Sequence, residues 1–390
     1  MAGRWSILAL LFAVRATMAF QYQTVGAVAP LVMHDLGVGL ADIGLLIGLY
    51  LAPGIVLAYP GGAIGRWLGD KPVVLAGLAL MAVGGAVMAF VPGWEAQVAG
   101  RLLAGMGGVL LNVLMSKMVT DWFAGGEIAT AMAVFVNSWP VGIAVALVVL
   151  PPIGEAAGAP ATHLFAAALV VAGMVLLALR YRPPPAAAAE AGAGEVSPDG
   201  RTLRAVLVAG TLWGLFNIGF AMVFAFGPAM LAERGWSVTS AGAASSLVLW
   251  LAMISVPLGG LLADRLRLYG TFIVAGCFAS AVLLLLVTRE EAVLPLFVAL
   301  GLVSGLPAGP IMSLPSRVLS PATRAPGMGL FFTVFYAAMV AGPALGGWIA
   351  HWAGSAAAAF DFGAATLIAC VALPWMFQRL ATPPRAPSAA

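Results

Sequence analysis

The sequence carries GGAIGRWLGDK at residues 61–71 and GGLLADRLR at residues 259–267, two glycine-rich and charged turns that each follow an apolar run. Aligning Gly62 with Gly260 gives an offset of 198 residues, about half of the 390-residue chain. A similar turn at the same place in two halves indicates the duplication of one helical bundle.

The composition places both bundles in lipid. The chain is 62% apolar and 8% charged, with a mean hydropathy of +1.05, whereas soluble domains are about 45–50% apolar and about 25% charged. A soluble enzyme is therefore excluded, because so few charges could not solvate a globule of this size. The two cysteines, Cys277 and Cys370, lie in apolar stretches, which favours buried packing over a disulfide framework or a zinc site.

Apolar runs long enough to cross a bilayer recur twelve times. We predict spans at residues 5–30, 41–62, 72–92, 96–118, 127–150, 161–180, 204–229, 239–263, 269–288, 292–315, 326–350 and 359–379. A polar stretch between the sixth and seventh runs predicts a cytoplasmic linker. The predicted fold is all-α, with a six-helix bundle at 1–180, a linker at 181–203 and a second six-helix bundle at 204–390, related by pseudo-symmetry.

The basic residues predict the orientation. If the N-terminus is cytoplasmic, the cytoplasmic ends and loops carry Arg4, Arg66, Lys71, Lys117, Arg180, Arg182, Arg201, Arg204, Arg265, Arg267, Arg317, Arg324, Arg379 and Arg385. The opposite side has Arg234 and Arg289. This asymmetry predicts a multi-pass protein of a bacterial inner membrane with both termini cytoplasmic. It also explains the basic pI without a nucleic-acid partner, since the charges are spread over separate segments.

Twelve spans in two halves, a linker and the turns after spans 2 and 8 resemble the major facilitator superfamily. The second turn is similar to its G-x-L-x-D-R pattern, whereas the first has Arg66 and Asp70 with their charges exchanged. The resemblance implies gating or conformational roles for a set of charged residues: Arg66, Asp70, Lys71, Arg101, Asp264, Arg265 and Arg267. The alternative is that the turn charges are solvated topology signals and that Arg101, which begins an R-x-x-x-G stretch, supports tight helix packing.

Arg15 is the charge that needs an explanation. It lies near mid-membrane in the first span, where an arginine costs about 2.5–3.5 kcal/mol on insertion scales. The sequence places no carboxylate at a comparable depth, so we infer that a small anionic ligand supplies the missing charge. The alternative is a structural Arg15 that donates to carbonyls freed by an unwound turn, or to Gln21, Gln23 or Asn217.

Other candidate ligand contacts follow from helical spacing and from the offset of 198. Tyr22 shares the face of Arg15, and Gln23 joins it only if the helix bends. Asn112 lies on a small, polar stripe with Arg101, and Asn137 stands where antiporters of the superfamily have a glycine–proline signature. The offset places Trp213 opposite Arg15, with Asn217 one turn further along. VGAVAP at residues 25–30, following Arg15, is similar to cyanate-type porters, while the arginines of nitrate and nitrite porters are missing from spans 2 and 8.

The resulting hypothesis is a secondary or facilitative transporter that moves a small organic or inorganic anion by alternating access. We expect a monomer in the lipid bilayer without cofactor or metal, because nothing resembles a nucleotide loop, a metal cluster or a catalytic constellation. A co-transported proton or an exchanged anion both stay open; His34, His163 and His351 are interpreted as solvated residues at outer ends. The alternatives are efflux of hydrophobic compounds and, in other classes, a membrane-embedded sensor or enzyme.

Overall fold

The computed structural model describes residues 3–123, 128–183, 198–320 and 323–381, and these residues are almost entirely helical. The helices, in chain order, are α1 (Arg4–Tyr22), α2 (Thr24–Ala27), α3 (Ala29–Leu36), α4 (Leu40–Leu49), α5 (Pro53–Leu68), α6 (Asp70–Phe90), α7 (Trp94–Trp122), α8 (Ile128–Val136), α9 (Ser138–Arg180), α10 (Gly200–Glu233), α11 (Val238–Leu266), α12 (Tyr269–Arg289), α13 (Val293–Ser304), α14 (Ala308–Met312), α15 (Arg324–Ala353), α16 (Ala357–Ala369) and α17 (Leu373–Ala381). A short 3-10 turn at Pro315–Arg317 follows α14.

These helices form twelve crossings, as predicted. Eleven helical segments of the described chain are long and apolar enough to span a membrane, and one of them, Val134–Arg180, has 47 residues. A helix of that length measures about 70 Å, more than twice the thickness of a hydrocarbon core. Gly158 interrupts it with a φ of +81°, a backbone conformation that glycine adopts without strain. The segment therefore turns back and supplies the fifth and sixth crossings.

Several crossings are divided into shorter helices rather than continuous. The first divides into α1, α2 and α3 at Gln23 and Val28, and the second divides between α4 and α5. Pro53 is the first residue of α5, and Pro307 precedes α14 in the tenth crossing. Proline has no N–H to donate, so a break that ends at a proline leaves carbonyls of the preceding turn unpaired.

The structure describes both ends of the segment that joins the two halves. α9 ends at Arg180 and α10 begins at Gly200, four residues before the predicted start of the second bundle at 204. Asp199 caps α10 by accepting a hydrogen bond from the Thr202 N–H, and this bond holds the pKa of the Asp199 carboxyl below its usual value. Residues 184–197 of the predicted linker lie outside the described residues.

We call the end of the molecule where α1 begins and α17 ends the terminal face, and the opposite end the distal face. The two halves, α1–α9 and α10–α17, pack closely towards the distal face. Gly44 of α4 lies against the backbone of Pro343 and Gly347 in α15, and Gly242 of α11 lies against the Leu147 carbonyl of α9. Helices approach this closely only where a side chain is missing.

Candidate functional site

The candidate site is built around Arg15 of α1, about 16 Å along the helix from Arg4. Only 8% of its surface is exposed. Arg15 Nε donates to Asn112 Oδ1 at 2.9 Å, and Nη1 donates to Ser138 Oγ at 2.9 Å and to the Phe135 and Val136 carbonyls at 3.2 and 3.1 Å. The guanidinium therefore joins α1 to α7 and to the junction of α8 and α9.

The local sequence explains why those carbonyls are free. α8 ends at Val136 and α9 begins at Ser138, so the helix is interrupted at Asn137. Arg15 thus donates to carbonyls at a helix break, as the structural alternative has it, and these carbonyls belong to the fifth crossing. Its charge is not neutralised, however, because Arg15 forms no ion pair with any carboxylate in the described ranges. Nη2 also makes no hydrogen bond with the described part of the chain.

The second half reaches this site through Tyr336 of α15. Asn112 Nδ2 donates to the Tyr336 hydroxyl at 3.1 Å while Asn112 Oδ1 holds Arg15. The Tyr336 ring lies 5.4 Å from the Phe335 ring, which in turn lies 6.2 Å from Trp213. Polar groups of the first half and aromatic rings of the second half therefore lie side by side at the interface between the halves.

Arg101 of α7 lies in a second, closed cluster. Its side chain is fully buried, and it donates to the Leu46, Gln21 and Tyr22 carbonyls at 2.9, 3.3 and 2.9 Å. These acceptors belong to the broken ends of α1 and α4. Arg101 accordingly stabilises two helix breaks, which agrees with the packing alternative; a gating role stays a prediction.

Tyr22 belongs to the Arg101 cluster and not to Arg15. Its ring lies 5.9 Å from the Arg101 guanidinium and 5.2–6.2 Å from Tyr50, Trp139 and Phe224. No hydrogen bond or ring contact joins Tyr22 to Arg15 within the described residues. The shared helical face therefore does not bring the two side chains together.

Gln23, Asn137, Trp213 and Asn217 have different positions. The helix breaks at Gln23, whose amide donates to the Phe224 carbonyl of α10 at 2.6 Å instead of facing Arg15. Asn217 Nδ2 donates back to the Trp213 carbonyl at 2.7 Å, and Trp213 stacks on Phe216 with ring centres 5.6 Å apart. The half-buried Asn137 side chain makes no hydrogen bond with the chain as described.

Apart from Arg101, the predicted gating charges whose side chains are described lie near the terminal face. Lys117 Nζ bridges Asp70 and Asp121 at 2.6 and 3.0 Å, while Lys71 Nζ donates to the Ala178 and Tyr181 carbonyls. In the second half, the Tyr269 hydroxyl donates to Asp264 at 2.7 Å. Arg267 ends α11 with a φ of +57°, and the neighbouring Arg265 is exposed. The Arg66 side chain lies outside the described residues.

Three site features were missed in the sequence. Two of them, Ser138 and Tyr336, complete the surroundings of Arg15. A serine or a tyrosine inside an apolar run cannot be distinguished from a packing residue by sequence. His163 was interpreted as a solvated residue at an outer end, and this was wrong because only 2% of its surface is exposed. The reversal at Gly158 starts the sixth crossing earlier, which places His163 inside the bundle.

The described residues are almost entirely helical, form twelve crossings and bury polar side chains between two halves, which is the architecture of a membrane transport protein. The model of the Major Facilitator Superfamily matches residues 11–288 and 215–390. The chain belongs to this superfamily, whose members bind small-molecule substrates within the membrane.

Similar proteins include several transporters. The chain is 23% identical over 250 residues to the hexuronate transporter of Bacillus subtilis, covering 60% of this chain and 58% of that one. It is 25% identical over 218 residues to the human choline/ethanolamine transporter FLVCR2, covering 52% and 41%. It thus spans less than two thirds of the length of these relatives.

Solved structures support the fold over nearly the whole chain. A bacterial homologue of the human lysosomal transporter Spinster, in an inward-facing and occupied conformation, has a TM-score of 0.74 at 14% identity and covers 98% of this chain and 96% of its own. A single-residue mutant of the nucleoside transporter NupG has a TM-score of 0.71 at 16% identity, with 95% and 99% covered. At these identities the likeness concerns the fold alone.

Proposed function

We propose that this transporter carries a small organic anion by alternating access and that Arg15 binds its anionic group. The observation that carries the proposal is a guanidinium near mid-membrane that has no carboxylate partner among the described residues and whose Nη2 makes no hydrogen bond with them. A buried cation without a counter-ion is costly, and a carboxylate or oxyanion that accepts from Nη2 lowers that cost.

The surroundings favour an anion with an organic body. Asn112 and Ser138 hold the guanidinium in one orientation, so its free amino group points in one direction. Trp213, Phe335 and Tyr336 supply aromatic surface from the other half. A sugar acid combines a carboxylate with such a body, and the similarity to a hexuronate transporter supports this class of substrate.

Cationic substrates are disfavoured. Arg15 and Arg101 both lie within the first half without a carboxylate partner in the described chain, and their charges repel a choline-like ligand. A second candidate is efflux of neutral hydrophobic compounds, favoured by the aromatic rings Trp213, Phe216 and Phe335. That activity would not depend on the Arg15 charge.

Counterflow in proteoliposomes separates these candidates. The purified protein is tested with labelled glucuronate, choline, a nucleoside and tetraphenylphosphonium. We expect exchange of glucuronate, and we expect Arg15→Gln to reduce it about tenfold or more, the effect of losing one charge-assisted hydrogen bond. Thr17→Ala is the matched control, since Thr17 lies on the same helix but packs towards Gly173.

Two results would contradict the proposal. One is exchange of choline or tetraphenylphosphonium without exchange of any carboxylate. The other is glucuronate exchange that Arg15→Gln leaves at the level of Thr17→Ala. Equal thermal stability of the two variants shows that a loss of exchange reflects binding and not folding.

The location of the protein is part of the proposal. We propose a bacterial inner membrane with the terminal face in the cytoplasm, because that face carries most of the basic residues. Fusion of a reporter enzyme that is active in the cytoplasm alone to either terminus would test this orientation. Inactive but stably expressed fusions at the two termini would contradict it.

A further inference from the structure

A cavity of about 170 Å³ lies at the terminal face of the second half, apart from the Arg15 site. It opens where α12 begins and where the tenth and twelfth crossings end. Tyr269, Ile273, Arg317, Pro374 and Phe377 are among the residues that line it. The walls are thus mostly apolar, with one guanidinium at the edge.

Arg317 is a cation with unused donors. Its guanidinium lies 3.9 Å above the Tyr269 ring, and the side chain is exposed. It forms no hydrogen bond or ion pair with the described residues. The nearby Asp264 instead accepts from the Tyr269 hydroxyl at 2.7 Å. The ring fixes the plane of the guanidinium, and its edge remains available to an anion.

The corresponding place in the first half has different contacts. The offset of 198 residues pairs Tyr269 with Lys71. Lys71 Nζ reaches the end of α9 and donates to the Ala178 and Tyr181 carbonyls at 2.8 and 2.9 Å. Tyr269 does not make the equivalent contact, and the last carbonyls of α17 accept from Arg201 instead. In the second half a tyrosine stands in place of this lysine, and it lines the cavity.

Exposed apolar side chains are the chain neighbours of two lining residues, since Leu268 precedes Tyr269 and Trp375 follows Pro374. Leu268 is 48% exposed and Trp375 is 56% exposed, and the Arg379 guanidinium lies 3.4 Å above the Trp375 ring. Tryptophan and arginine at the end of a crossing are typical of the level of the lipid headgroups. A phosphate at Arg317 would thus have acyl chains beside it on Leu268 and Trp375.

We propose that this cavity binds the phosphate of an anionic phospholipid, with Arg317 as its donor and the Tyr269 ring behind the guanidinium. A free phosphate ion offers the same charge. The lipid is favoured because the cavity has apolar walls and is continuous with exposed apolar side chains, which a free ion would not use.

Native mass spectrometry of the intact protein, with phosphatidylglycerol and phosphatidylcholine in equal amounts, tests the proposal. We expect bound phosphatidylglycerol to exceed phosphatidylcholine, and Arg317→Gln to reduce phosphatidylglycerol retention about tenfold. Arg182→Gln is the matched control, because it removes the same charge from the terminal face of the first half. Gly270→Leu fills the cavity without changing any charge, since a side chain there has only Gln378 at 3.6 Å, and it should also reduce retention.

Inorganic phosphate distinguishes the two sources of the anion. We expect millimolar inorganic phosphate to leave the bound phosphatidylglycerol in place. Displacement by phosphate would overturn the lipid assignment. Equal retention of both lipids by the unmodified protein, or full retention by both Arg317→Gln and Gly270→Leu, would overturn the site itself.

Discussion

Gln23 Nε2 donates to the Phe224 carbonyl at 2.6 Å, and this hydrogen bond joins α1 to α10 across the two halves. The acceptor is free because Pro228, four residues further along α10, has no N–H to donate to it. Gly26 packs against the same oxygen. Pro228 of the second half thus leaves a carbonyl unpaired, and Gln23 of the first half binds this carbonyl near the distal face.

Replacing Gln23 should loosen the distal face. Gln23→Leu leaves the Phe224 carbonyl unpaired in the closed arrangement, at a cost of about 1–3 kcal/mol. Spin labels at the exposed positions His34 and Trp352 should then report a larger population of long distances. Gln97→Leu is the control, because Gln97 donates to the Met88 carbonyl within the first half. Unchanged distances in Gln23→Leu would contradict a role in closure.

The close contact between α4 and α15 also holds the distal face together, and a larger side chain within it should disrupt it. A side chain at Gly48 would meet the Val340 carbonyl, so Gly48→Val should prevent the closed arrangement and slow counterflow. The same spin-label pair should show separation at the distal face. Gly260→Ala is a matched control, since a methyl group there has no neighbour within 4 Å. Normal transport by Gly48→Val would show that the close approach is not needed.

The fold was predictable because a chain in lipid must pair its backbone polar groups internally, which leaves few possible structures. Apolar runs, basic asymmetry and the repeated turns lead to twelve crossings without any knowledge of packing. The reversal at Gly158 lies between the predicted spans 127–150 and 161–180. The breaks at Gln23 and Asn137 were not predictable, because a crossing can be divided without a change in its composition.

The site was predictable only as far as charge is concerned. The cost of a cation in lipid singles out Arg15 whatever the packing. Its partners Ser138 and Val136, and the Tyr336 that binds Asn112, depend on where the fifth and eleventh crossings lie, which helical periodicity does not determine. Helical spacing also failed for Tyr22. It is two turns after Arg15 on the same helical face, but α1 ends at Tyr22 and its ring lies beside Arg101 instead.

Arg101 should matter more for stability than for substrate binding. Arg101→Gln leaves up to three buried carbonyls without a donor, and each buried acceptor left unpaired costs about 1–3 kcal/mol. We expect the Tm in detergent to fall by about 5 °C or more. Arg289→Gln removes an exposed ion pair with Asp361, worth about 0–1 kcal/mol, and should barely change the Tm. Similar Tm values for both variants would contradict the structural role of Arg101.

Asn112 should act on the anion through the groups that it orients. It accepts from Arg15 and donates to Tyr336, so Asn112→Leu should raise the KM for glucuronate counterflow, and Tyr336→Phe should raise it less because the ring remains. The two changes disrupt one shared bond, and their effects on KM should therefore be non-additive by about 0.5 kcal/mol or more. Additive effects would mean that Tyr336 acts on the ligand independently of Asn112. A merely structural role of the bond would lower the Tm of both variants and leave KM unchanged.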